Sequence, residues 1–275
     1  MKYADLHVHT TASDGTVSPS EVVHLAAEAG LAAIAITDHD TVAGIEEAKI
    51  AGSRLEVDII SGIEISTDYL GNDVHMLGYF IDPESPELEP VLNWAVNEKD
   101  IRNRKIVEAL KEAGFSIDLS EIEAKNPGAV IGRPHIAAEM AAKGYVSSVS
   151  ECFDRYVGEG RPFYVTRQRI DFAEAIAFII RSGGKAVLAH PLQYKFSPKD
   201  TEKMVALAKT HGCVGLEVYY TDYSESDISF LLNLAEKYGL IPTGGSDFHG
   251  ENKPDIAIGQ AKVPYDTVEL ISPNP

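Results

Sequence analysis

Six of the nine histidines in this 275-residue chain fall at the ends of short β-rich runs, and carboxylates accompany them. His7 and His9 close the run from Tyr3 to His9, and Asp14 follows in the next loop. His39 comes directly after the run Ala32 to Thr37, Glu64 closes the run that starts at Val57, and His75 opens the run Asp73 to Phe80. His190 ends the run from Lys185, while Asp247 and His249 end the run that starts at Ile241. Histidines used for packing would scatter over helices and loops as well. A set gathered at strand ends implies one mouth of a barrel, where the loops after several strands meet.

The segments between these runs carry helix signals. Ser18-Pro19-Ser20-Glu21 reads as a capping box with proline at the first helical position. Val22, Leu25, Ala26 and Ala29 follow at helical spacing, with Gly30 as the stop. A second helix is expected over about Val42 to Ala51, and others after Asp171, Ser197 and Ser224, each with an acidic residue three positions on. A further strand is expected at Val214 to Tyr219. Alternating β and α elements imply a parallel sheet. Two stretches break the rhythm. Asp68 to Asp73 leaves no room for a helix and implies a hairpin, with Glu64 roughly opposite His75. Residues 86–167 read as helical throughout. The expected fold is α/β, a distorted seven-stranded (β/α)7 barrel formed by residues 1–85 and 168–275, with residues 86–167 as a helical, substrate-capping insertion.

Charge limits the partners. Lys and Arg number 24 against 42 Asp and Glu, a formal net charge of −18. Long duplex nucleic acid is excluded as a partner, because its affinity comes largely from phosphates meeting Lys and Arg. A small anion is still accessible where bound metal ions reverse the local sign. No apolar run approaches the roughly 20 residues of a membrane span, and no basic-then-apolar leader precedes His7, so the cytosol is the expected compartment. Cys152 and Cys213 form no CxxC pair.

His7 and His9 alternate onto one face of a strand, roughly 6–7 Å apart. Imidazole and carboxylate without thiolate suit Zn, Mn or Fe. Nine donors (His7, His9, Asp14, His39, Glu64, His75, His190, Asp247 and His249) exceed the coordination of one ion, so two or three ions are implied, with Glu64 able to bridge. Closely spaced ions can generate a hydroxide and clamp the attacking and leaving oxygens of a phosphoryl transfer.

Together with the flanking residues Thr37-Asp38-His39, Ala189-His190-Pro191 and Gly245-Ser246-Asp247-Phe248-His249, this set resembles the polymerase and histidinol phosphatase (PHP) family. The resemblance implies a distorted barrel holding three ions: one on His7, His9, Glu64 and Asp247, a second on Glu64, His75 and His190, a third on Asp14, His39 and His249. The insertion, through Gly132-Arg133-Pro134-His135 and Gly160-Arg161-Pro162, is similar to a subgroup acting on 3′,5′-bisphosphonucleosides and RNA 5′ ends. That likeness implies a metal-dependent phosphoesterase for nucleoside monophosphates, 3′,5′-bisphosphates or short RNA. Catalytic roles would fall to Arg133 as a phosphate fork, to His135, and to Asp14, which competes with a metal-held water as donor to the leaving oxygen.

Other readings stay open at this point. They are a histidinol-phosphate-type phosphatase, an amidohydrolase-type barrel, which also begins with HxH, and a non-catalytic metal-stabilised module. Lys99, Arg102, Arg104 and Lys105 share a helix with acidic residues and read as a solvated face. Asp38 reads as orienting a ligand and Asp40 as a turn residue. Tyr219, Tyr220 and Trp94 read as packing residues, and His24 and His211 receive no role.

Overall fold

In the computed structural model, which describes residues 2–273, the chain begins β1 (Tyr3–Val8), α1 (Pro19–Glu28), β2 (Ala33–Ile36), α2 (Ile45–Leu55), β3 (Asp58–Tyr69) and β4 (Asn72–Tyr79). It leaves the sheet as α3 (Leu88–Glu112), α4 (Leu119–Lys125), α5 (Arg133–Ala142) and α6 (Val149–Cys152), which runs into a π-helical turn, Phe153–Val157. It returns through β5 (Ile170–Asp171), α7 (Phe172–Arg181), β6 (Lys185–Leu188), α8 (Pro198–Thr210), β7 (Gly215–Tyr220), α9 (Glu225–Tyr238), β8 (Ile241–Gly245), β9 (Val263–Pro264) and α10 (Asp266–Ile271).

The strands form one sheet in the order β8-β7-β6-β4-β3-β2-β1-β9, with β5 on β3. The sheet curls until its ends nearly meet. Past β8, Asp247 N donates to His7 O at 2.8 Å, and His9 N to Phe248 O at 3.0 Å. Gly245 permits this approach, since a Cβ there would lie 2.3 Å from His7 N. Nine strands rather than about seven are present among the described residues, the additional β5 and β9 having two residues each.

The hairpin expected between residues 65 and 73 is formed by Leu70 and Gly71, both at positive φ (54° and 84°), as a two-residue turn between twisted strands requires. It makes β3 antiparallel to β4 and β4 antiparallel to β6, which with the antiparallel β9 on β1 interrupts an otherwise parallel wall. Register differs from expectation: Ser66, not Glu64, pairs with His75, and β3 continues past Glu64 to Tyr69. Glu64 therefore lies diagonal to His75 on the same face.

Helix starts follow their caps. Ser18, Asp171, Ser197 and Ser224 each accept a hydrogen bond from a backbone amide of the first turn. Between β4 and β5 every element is helical, but the segment from Gly158 to Arg169 is not, which corrects the reading of residues 86–167 as helical throughout. These helices bury a cluster of their own, including Ile106, Leu110, Ile122, Ile136 and Met140.

Candidate metal centre

Glu64 is the hub of the barrel mouth. Its Oε1 lies 2.9 Å from His75 Nδ1 and 2.9 Å from His190 Nε2. Its Oε2 lies 3.1 Å from His39 Nδ1, 3.2 Å from His9 Nε2 and 3.3 Å from His7 Nε2. Alternation along β1 brings His7 and His9 inward together, their Nε2 atoms 3.1 Å apart. His39 reaches the hub because the chain after β2 keeps pairing with β3: Asp40 N donates to Glu64 O, and Glu64 N to Asp38 O. Asp247 Oδ1 stands 3.5 Å from His7 Nε2 and 3.3 Å from His9 Nε2. Asp14 Oδ1 is 3.4 Å from His249 Nε2. All nine sequence-predicted donors thus converge, forming four overlapping groups whose donor atoms lie within 4.8 Å of one another: His9, Asp14, His39 and His249; His7, Glu64 and His190; His7, His9 and Asp247; His39, Glu64 and His75.

Three of the seven non-glycine residues with positive φ among the described residues lie here: His190, Asp247 and Asp40 have φ of 22°, 56° and 56°, a region that residues other than glycine rarely occupy. Such outliers gather where a site dictates geometry.

The electrostatics suit cations. Burial opposes ionisation of Glu64, yet the imidazoles of His39, His75 and His7 hold it well below the usual carboxylate range. Burial likewise opposes the charged forms of His9 and His75, but facing carboxylates push them up to about 9 and about 10. For His9 these are Asp247 and Glu64, for His75 Glu64 and Asp73. Burial brings His39 down to about 3. The Nδ1 atoms of His9 and His190 have no hydrogen-bond partner. Imidazole nitrogens facing one another across carboxylate oxygens are ill matched as hydrogen-bond partners and well matched as ligands of shared cations, so the residues fit metal ions.

A cavity of about 470 Å³ opens between this mouth and the helices, lined by donors on one side and by Lys99, Arg102, Arg133 and Arg167 on the other. Lys99 and Arg102 correct the reading of a solvated helix face. Each is 6% exposed, while Arg104 and Lys105 do face solvent. Lys99 Nζ lies 2.8 Å and Arg167 3.6 Å from Asp40 Oδ2, so Asp40 is a tie between barrel and helices rather than only a turn residue. Among the described residues no carboxylate comes within ion-pair distance of Arg102, whose guanidinium bonds only the side-chain oxygen of Asn103. Burial, with Arg133 and Arg167 nearby, brings Arg102 down to about 9. Arg133 lies against the rings of Phe153 and Tyr164 and 3.9 Å from Asp73.

His135 lies at the N-terminus of α5, two residues after Arg133. Its Nδ1 accepts from Gly132 N at 3.0 Å, its ring also meets the Ser13 backbone, and it is absent from the cavity wall. Arg161 is exposed and also off the wall. Asp38 accepts hydrogen bonds from Thr10 and Ser13, in the loop that carries Asp14. Tyr220, read as packing, lines the cavity and donates to Asp247 Oδ2 at 2.7 Å, while Tyr219 is half-buried. The period that places Lys99 and Arg102 on the face of Ile106, Val107 and Leu110 was the signal available for them. Asp73, Arg167 and Lys253, the last a cavity-lining residue that pairs with Asp247 Oδ2, carried no comparable signal. No helix among the described residues is long and apolar enough to cross a membrane.

Comparison with known proteins agrees with this centre. The PHP domain matches residues 5–143. The chain is 36% identical over 251 residues to a 5′-3′ exoribonuclease of Haemophilus influenzae, covering 90% of each. It is 32% identical over 266 residues to a 3′,5′-nucleoside bisphosphate phosphatase of Chromobacterium violaceum, covering 93% of this chain and 91% of that one. A solved metal-dependent phosphoesterase from Bifidobacterium adolescentis superposes with a TM-score of 0.89 at 32% identity, covering 98% of this chain and 94% of that one. A barrel mouth crowded with imidazole and carboxylate, and relatives matched along nearly their whole length, lead to one assignment: the chain belongs to the PHP-domain family and is a metal-dependent phosphoesterase.

Proposed function

We propose that the enzyme hydrolyses phosphate esters bearing a second phosphate, namely nucleoside 3′,5′-bisphosphates or the 5′ ends of short RNA. Arg102 carries this reading. A guanidinium that is buried, without a carboxylate and beside two further arginines is costly unless an anion completes it. A monophosphate held at the barrel mouth leaves it uncompensated, whereas a second phosphate satisfies it and its neighbours Arg133 and Arg167. The relatives named exoribonuclease and bisphosphate phosphatase support the same substrate class.

Two to three Mn, Fe or Zn ions are assigned to the mouth, with His7, His9, Glu64 and Asp247, then Glu64, His75 and His190, then Asp14, His39 and His249 as their ligands. The first and third sets are supported by the groups His7, His9 and Asp247, and His9, Asp14, His39 and His249; the second is supported by Glu64 Oε1, which lies 2.9 Å from both His75 and His190 although these two fall in different groups. When bound, such ions supply activated water and neutralise phosphate charge. Arg133, steadied between two aromatic rings, offers parallel N–H groups to phosphate oxygens. Asp14 is assigned to ligation rather than proton donation: burial opposes its charge, but His39 and His249 hold it well below the usual range. His135 is assigned to fixing the turn before Arg133.

Steady-state kinetics on a panel of phosphate esters tests the reading. A nucleoside 3′,5′-bisphosphate and 5′-phosphorylated short RNA should exceed the nucleoside monophosphate and histidinol phosphate in kcat/KM by at least about tenfold. Equal values across the panel, or a preference for histidinol phosphate, would remove the second-anion subsite.

A further inference from the structure

We infer that Glu217, which lies outside all four donor groups, is a positioning residue that selects the nitrogen His7 turns toward the ions. The inference rests on the proposed ligand role of His7. Glu217 lies on β7, a wall strand that supplies no donor to the mouth, and its side chain is fully buried inside the barrel. Its Oε1 is 3.0 Å from His7 Nδ1, and its Oε2 accepts from the backbone N–H of His190 at 2.7 Å. One carboxylate therefore touches a donor on β1 and the peptide that carries another donor after β6.

The tautomer follows from what a carboxylate can do. With both oxygens accepting, Glu217 requires a proton on His7 Nδ1. Nε2 then keeps its lone pair, and Nε2 is the atom that faces His9, Glu64 and Asp247. Glutamine has only one acceptor oxygen. It can serve His7 or the His190 amide but not both, and when its NH₂ turns toward His7 it favours the tautomer with Nε2 protonated.

A second feature of β7 points the same way. The register against β8 shifts between Glu217 and Tyr219, and such an irregularity re-aims the side chains beyond it. Strict alternation from Glu217 would turn Tyr219 inward. Instead Tyr220 is the buried one, and its hydroxyl occupies Asp247 Oδ2, leaving Oδ1 toward His7 and His9. β7 thus orients donors that other strands supply.

The test compares wild type with Glu217→Gln. Metal affinity is measured by chelator competition with Zn²⁺ and Mn²⁺, and folding by thermal melting of the metal-free proteins. We expect melting within about 5 °C of wild type, and 10- to 100-fold weaker binding of at least one ion, the usual effect of losing a carboxylate behind a ligating histidine. Affinities within twofold for every ion would overturn the inference. Should the variant not fold, two-bond ¹H–¹⁵N spectra of Zn²⁺-loaded wild type, with His7 assigned through His7→Gln, decide the matter. A proton on Nδ1 and a metal-shifted Nε2 support it, while the reverse pattern overturns it. Wild type that takes up no metal would instead overturn the proposed ligand set itself.

Discussion

At the barrel mouth nine donors arrive from six strands, each carried on a strand or just beyond its end, and they crowd around one carboxylate. Across the cavity, Lys99, Arg102, Arg133 and Arg167 arrive from a single stretch of chain between β4 and β5. The first region concentrates groups that attract cations, the second groups that attract anions, and a phosphate ester between them meets both. On the proposed reading the contrast is a division of labour, in which the mouth would supply reactivity and the helical segment selection. The two should fail differently when damaged.

The largest effect should come from the mouth. Glu64→Gln removes the charge on which five imidazoles converge. We expect activity to fall roughly a thousandfold or more, about 4 kcal/mol, with at least one ion lost and the fold retained by circular dichroism. An active variant with a full complement of ions would break the comparison at its centre.

Next in size is the anion side. Arg102→Ala and Arg133→Ala should keep their metal content. They should lower kcat/KM for a nucleoside bisphosphate by about one to three powers of ten, with a small aryl phosphate ester little changed. Arg133→Lys should restore only part of the loss, since an ammonium lacks the planar fork. Equal losses on both substrates would place these arginines in the chemistry rather than in selection.

The two regions should also respond differently to pH. Against the opposition of burial, nearby carboxylates keep His9 and His75 protonated up to about 9 and about 10 in the metal-free protein. Raised values stabilise that form most fully below the unfolded imidazole value of about 6.5. The contribution is lost as pH climbs through 9 to 10. Ligation needs neutral rings, so rising pH over the same window weakens the empty form and favours loading. Against burial, Glu217, Glu64 and Asp247 raise His7 as well, so metal uptake at pH 7.5 should release about three protons per chain from these rings, measurable with an indicator dye in weak buffer. Uptake without proton release would contradict imidazole ligation.

The smallest effect should come from the outer face of α3. Arg104→Ala and Lys105→Ala should change no kinetic constant more than about twofold, although both are cations close in sequence to Arg102. A large loss would mean that the anion side extends beyond the cavity.

These contrasts explain what was legible beforehand. Donors at strand ends announce themselves, because hydrophobic runs mark the strands and position along a strand fixes the mouth. His39 and His190 needed only that. The cations of α3 sit on a helix with charges all round, where the buried stripe must be chosen, and acidic neighbours suggested the wrong one. On sequence alone Lys99 and Arg102 therefore fall on the solvent side. Tyr220 depends on a register shift in β7 that no residue pattern encodes, and parity from Glu217 points to Tyr219. β5 and β9 are two-residue pairings created by tertiary placement, too short to leave a run.

Asp40 holds Lys99 from the outgoing helix and Arg167 from the irregular returning segment of the same excursion, on one carboxylate beside His39. The two stems of the helical excursion thus meet the barrel through a single buried carboxylate, next in sequence to a histidine of the mouth. A change at Asp40 would therefore be felt on the cation-attracting side and the anion-attracting side at once.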